Sequence, residues 1–150
     1  MSLGGTPRAA APAPAANPRG MSRDRRLKRR RLIRPLFDPA AGARRFSVGV
    51  LQIRWAVVPR EDVGADSPLQ VGFAPGRRAA TNVGRNRIRR VMRETWRGEQ
   101  EVLLNRFAAR PDETLTVFVL FRGSEASAAE DIRRDLPVAI ARLEANLAGA

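Results

Sequence analysis

The stretch "GRNRIRRVMRE", residues 84 to 94, sets Arg85, Arg87, Arg89, Arg90 and Arg93 around one asparagine and a thin apolar stripe, with Arg97 just beyond. On a helical wheel of about 100° per residue, Ile88, Val91, Met92, Thr95 and Trp96 gather on one side. Asn86, Arg89, Arg90, Arg93 and Arg97 lie opposite, and Arg85 and Arg87 flank the stripe. The pattern predicts an amphipathic helix that starts near Thr81, with Thr81 or Asn82 as N-cap, and stops near Gly98. One face packs on a sheet. The other carries guanidinium groups at i, i+4 and i+8, about 6 Å apart, close to the phosphate spacing of a nucleic acid strand. Like charges at that spacing destabilise an isolated helix, and only Glu94 stands nearby to offset them. A solvated helix face interleaves both signs; this one does not, so its counter-charge is expected from another molecule.

Outward from this helix the pattern is strand-like. Upstream, Phe46 and Val48 alternate with polar residues, and Leu51, Ile53, Trp55 and Val57 alternate with Gln52, Arg54 and Ala56. The parity flips at Gly49-Val50, which implies a bulge or a strand boundary. Residues 59–68, "PREDVGADSP", read as a loop, and "LQVGFAP" (69–75) as a strand that pairs back antiparallel. Further upstream, Leu27, Arg30, Arg31 and Leu32 begin a short basic helix that Pro35 breaks near Arg34. Downstream, "ETLTVFVLFRG" (113–123) is a continuous β-branched and aromatic run, as in an interior strand. The last segment has Ser124 or Ser127 as cap, Ile132, Leu136, Ile140 and Leu143 along one face, and Pro137 in its middle. The order α-β-β-β-α-β-α predicts an α+β fold, an α/β sandwich of about four strands packed with three helices. Residues 1–20 hold 6 Ala, 4 Pro and 3 Gly without periodicity, and read as a disordered basic extension to a single domain over 21–150.

Charge and composition exclude several classes of function. The net charge is +13, and 10 of the basic residues fall in 1–34 and 8 in 77–97, whereas 98–150 holds 6 basic and 9 acidic residues. Such a field attracts polyanions, nucleic acid first and an anionic membrane surface second. With 0 Cys and 0 His the chain has no disulfide, no thiolate zinc site, no usual metal ligand and no usual general base. The longest nearly apolar run, "LTVFVLF" (115–121), is far short of the roughly 20 residues of a membrane span. No signal peptide is legible at the N-terminus. "GRRAATNVGRN" (76–86) lacks the Gly-Lys-Ser/Thr of a nucleotide-binding loop, and the carboxylates show no ligand spacing.

With those residues in view, the sequence resembles the protein component of bacterial ribonuclease P. "VGRNRIRRVMRE" (Val83 to Glu94) looks like the family's signature helix, "LQVGFAPGRR" like the strand before it, and "RLKRRRLIRPLF" like its opening Arg-Leu-Lys helix. The likeness covers about residues 26–147. It implies an α/β sandwich with a left-handed β-α-β crossover, an exception to the general handedness rule. It also implies a cytoplasmic protein that binds the ribonuclease P RNA and the 5′ leader of precursor tRNA. The catalytic residues are then none, and the RNA performs hydrolysis with Mg2+ that it holds itself. Carried over by position, Arg85, Asn86, Arg87, Arg89, Arg90, Arg93 and Arg97 would contact the RNA subunit. Phe37, Phe73, Arg77 and Arg78 would line the leader cleft between the signature helix, the first helix and the preceding strand. The chain departs from the family at Ile33, where an aromatic is usual, and at Gly76-Arg77-Arg78, where the family has Ser-Lys-Lys. The rival readings are a ribosomal or other structural RNA-binding protein, then a DNA-binding regulator, for which no helix-turn-helix or dimer surface is legible. No small-molecule substrate and no membrane partner are expected.

Overall fold

The computed structural model describes residues 25–64, 66–76 and 81–149. The extension expected over 1–20, and Arg77 and Arg78, lie outside the described residues. The elements are α1 (Arg30–Ile33), β1 (Arg44–Val48), β2 (Leu51–Pro59), β3 (Leu69–Ala74), α2 (Asn82–Glu99), α3 (Glu101–Ala108), β4 (Glu113–Phe121) and α4 (Ala128–Ala148). As the prolines require, α1 is one turn long and passes directly into a 3-10 turn, Arg34–Phe37.

The strands form one sheet in the order β1-β2-β4-β3. The continuous apolar run of β4 is central: it pairs antiparallel with β2 along its whole length and parallel with β3 on its other edge. Both faces of β4 are covered, which is why it does not alternate. Leu115, Val117, Val119 and Phe121 join Leu51, Ile53, Val71, Ile88, Met92, Trp96 and the apolar side of α4 in the main core. Phe118, on the opposite face, packs with Leu27, Leu32, Leu36 and Val63 in a second, smaller core under the N-terminal segment.

The structure corrects two expectations. The strand over 69–74 does not pair back antiparallel; it lies parallel to β4, so β3, α2, α3 and β4 form a crossover unit. Side-chain alternation shows which face of a strand is buried but not which strand lies beside it, and here β4 occupies the place next to β2. The signature helix ends at Glu99, next to the expected stop at Gly98, but a separate helix follows it, so among the described residues there are four helices rather than three. After α2 ends at Glu99, Gln100 stays in the right-handed helical region and α3 follows at once. The Trp96 indole N–H donates to Gln100 Oε1 at 3.1 Å, and Leu103 and Phe107 are fully buried. That burial is what holds α3, the helix not expected from the sequence, against the core.

The parity flip at Gly49-Val50 is a strand boundary, a two-residue hairpin turn between β1 and β2. Gly49 has φ +54, and a Cβ there would run into the Asp135 carboxylate. Asp135, almost buried in α4, accepts the Val50 N–H at 3.1 Å and two N–H groups of Arg134. The Arg134 hydrogen bonds hold its carboxyl below the usual range, against an opposing effect of burial and with help from Val50. The hairpin is thus locked to α4 by one carboxylate.

Candidate nucleic-acid interface

Helix α2 begins as its sequence requires: Thr81 Oγ1 accepts the Gly84 N–H at 2.9 Å. Gly84 is buried against the Glu125 side chain, which occupies the space where a Cβ would stand. Ile88, Val91, Met92 and Trp96 then anchor the helix to the sheet and α4. What remains outside is a single arc of cations. Asn86, Arg87 and Arg90 are exposed, and Arg85, Arg89, Arg93 and Arg97 run along its flank, half-buried. The structure therefore brings together on one helix all seven residues expected to face the RNA subunit. Arg89 bonds Asn86 Oδ1 at 3.1 Å and Arg85 approaches Asn82 Oδ1 at 3.4 Å, so amides rather than carboxylates hold the row in place. Among the described residues, none of Arg85, Arg87, Arg89, Arg90 and Arg93 takes part in a salt bridge. Burial first, and then Arg26, Arg89 and Arg90, pull the Arg93 pKa below its ordinary value, while Glu94 opposes them.

Of the residues expected to line a leader cleft, Phe37 and Phe73 lie on opposite faces of the sheet. Phe37 sits on the sheet face opposite α2, 39% exposed, with its ring edge-on to Phe118 at 5.3 Å. Phe73 belongs to the α2 side, edge-on to Trp96 at 6.1 Å. The period of two places Val71 and Phe73 on the helix-covered face and Gly72 on the other.

On the Phe37 face the structure assembles residues that the sequence reading passed over. The Arg54 guanidinium lies 4.6 Å from the Phe37 ring centroid, and donates to Gln52 Oε1 at 3.2 Å and to Leu36 O at 3.3 Å. Arg45 stands directly opposite it on β1 and Phe118 opposite it on β4. Burial, then Arg45, then Arg122 lower the Arg54 pKa. No carboxylate offsets this cluster among the described residues, which makes it a second cationic surface with an aromatic at its centre. The available signal was an arginine in the polar phase of β2, at a position that interior packing does not need.

Gly76 explains one departure from the family pattern. It has φ +81, and a Cβ would collide with the Phe121 carbonyl oxygen, so the serine usual there has no room.

Among the described residues no three acidic side chains gather where a metal ion could be held, and no helix is long and apolar enough to cross a membrane. An α+β sandwich with a helix whose Arg85, Arg87, Arg89, Arg90 and Arg93 make no salt bridge among the described residues, and one Arg-Phe sheet face, defines a protein built to hold a polyanion, with nucleic acid as the ligand of matching charge spacing. Comparison with known proteins makes this specific. A family model described as Ribonuclease P matches residues 21–144. The chain belongs to that family, as a bacterial ribonuclease P protein component. Among solved structures, the Staphylococcus aureus RNase P protein has the same fold, with TM-score 0.52 at 13% identity over 77% of this chain and 94% of its own. A mutant of that protein, described as defective in mRNA degradation activity, gives TM-score 0.51 at 13% identity over 77% and 87%. No match was found among curated proteins.

Proposed function

We propose that the protein binds the ribonuclease P RNA through the arginine arc of α2 and the 5′ leader of precursor tRNA through the sheet face that carries Phe37, Arg54 and Phe118. The observation that carries this reading is the arc itself: five arginines on one helix, none of them in a salt bridge among the described residues. A protein leaves that much like charge uncompensated when a polyanion completes it. Family membership and the shared fold support the choice of RNA over DNA.

In this reading the protein contributes binding and electrostatics in the cytoplasm, and the RNA contributes the chemistry. Magnesium ions held by the RNA supply the Lewis acid and the activated water for phosphodiester hydrolysis. The guanidinium groups of α2 screen phosphate repulsion in the folded RNA and so lower the magnesium needed to hold it. Phe37 and the Arg54 plane offer a stacking surface for an unpaired base, and Arg45 and Arg122 attract its phosphates. A mature tRNA lacks that strand, so the sheet face favours precursor over product.

Reconstitution tests the reading. Purified protein added to a ribonuclease P RNA at low magnesium is expected to restore 5′ cleavage of precursor tRNA. No stimulation at any protein concentration would move the assignment to a structural RNA-binding role.

A further inference from the structure

Strand β1 pairs with β2 on one side and, among the described residues, with no strand on the other. Its free edge carries cations on both faces of the sheet. Arg45 stands directly opposite Arg54, on the face of Phe37. Arg44 stands opposite Trp55, on the face that α4 covers, with its guanidinium 5.6 Å from the Trp55 ring centroid. Arg142 reaches across from α4: its guanidinium lies 4.8 Å from the centroid of the half-buried Phe46 ring and donates to Ser47 O at 3.2 Å. All three arginines are exposed, and none is in a salt bridge among the described residues. Acids of α4 are engaged elsewhere, Glu144 with Arg106, and Asp131 and Asp135 with Arg134.

Charged residues on an edge strand also guard a sheet against strand addition, and Arg142 does so by occupying the Ser47 carbonyl. That role needs no aromatic ring beneath each cation. A guanidinium stacked on a ring has its plane fixed in advance and keeps N–H groups for a phosphate. The rows of Arg44 and Phe46 are two residues apart on the strand, about 7 Å, close to the step between successive phosphates of an extended chain. We propose that the β1 edge is a second subsite for an unpaired RNA strand: a leader held on Phe37 and Arg54 passes Arg45, turns over the edge and sets its next phosphates on Arg44 and Arg142. Helix α2 lies over β3 at the opposite edge of the sheet. The leader end joined to the tRNA therefore belongs on that side, with the RNA subunit, and the free 5′ end leaves over β1. The proposal rests on the reading of the Phe37 face as leader-binding, and adds to it a preference for precursors with longer leaders.

The test compares precursor tRNAs with leaders of about four and about twelve nucleotides, the range of usual single-strand sites, on the holoenzyme reconstituted from full-length protein and ribonuclease P RNA. The double variant Arg44→Gln, Arg142→Gln is expected to bind the long-leader precursor about tenfold more weakly near 150 mM salt, two contacts at roughly 0.7 each in slope. The short-leader precursor should bind as before. A second measurement leaves these residues in place. With 5-fluorotryptophan at Trp55 and Trp96, the two tryptophans of the chain, the fluorine resonance of Trp55 should move with a twelve-nucleotide leader oligonucleotide and stay with a four-nucleotide one. Trp96, fully buried, is the reference, and the fluorine signal decides if the double variant folds poorly. Equal losses for both leaders would give the edge to another part of the RNA and overturn the subsite. No loss for either leader at an unchanged thermal midpoint would return the edge to solvent, and a Trp55 signal indifferent to the longer oligonucleotide would do the same. If Arg54→Ala fails to separate precursor from mature tRNA, the Phe37 face itself loses the leader, and the underlying reading fails with it.

Discussion

Replacing Arg87 and Arg90 by glutamine tests the arginine arc where the structure isolates it, because both side chains are exposed and neither contributes to the core. Six arginines, Arg85, Arg87, Arg89, Arg90, Arg93 and Arg97, lie along α2. If each neutralises one phosphate, log affinity against log salt has a slope of about −4 to −5, at about 0.7 to 0.9 per contact. Between roughly 50 and 200 mM salt the affinity of the parent protein then falls about 500-fold. Without two of the contacts the slope is about −3, and the same change in salt costs only about 60-fold. Folding should not suffer, since removing like charges from the row leaves stability unchanged or raises it by a few tenths of a kcal/mol. The assay is equilibrium binding to ribonuclease P RNA at four or more salt concentrations, with the thermal midpoint measured alongside. Parallel lines for the two proteins, at equal stability, would assign these arginines to solvent and refute the argument from uncompensated charge.

The sheet face should separate precursor from product: Arg54→Ala is expected to weaken precursor tRNA binding by about 1–2 kcal/mol, roughly five- to thirtyfold, the worth of one stacked base. Mature tRNA should bind the holoenzyme as before, and equal losses for both would remove the leader from this face. Asp135→Ala leaves the Val50 N–H of the hairpin turn without its acceptor and should cost about 1–3 kcal/mol at pH 7. Because the Asp135 pKa is depressed in the folded protein, that contribution is complete above the ordinary carboxylate range near 4 and is lost as pH falls through the folded value. The gap between parent and variant in denaturant midpoints should therefore narrow in acid, and a gap that grows as pH falls below the ordinary carboxylate range contradicts the assignment. Gly76→Ala forces a side chain against the Phe121 carbonyl at φ +81, and should destabilise by more than about 2 kcal/mol. A neutral result in thermal unfolding would mean that the turn moves freely.

The sequence by itself determined α2 almost completely. Its cap at Thr81, its buried Ile88, Met92 and Trp96, and its exposed Arg87 and Arg90 all follow from local periodicity, because a helix face is set by residues a few positions apart. The interior character of β4 was legible for the same reason. Tertiary structure alone decided where β3 lies, since strand pairing is a long-range choice that the 69–74 alternation does not encode. It also decided that a separate helix, α3, follows α2, because Leu103 and Phe107 find a place in the core. The candidate site divides along the same line. The arginine arc is one element and could be read along the chain. The Phe37-Arg54-Phe118 surface joins elements far apart in sequence, and only the packing of the sheet brings its charge and its rings within reach of one another.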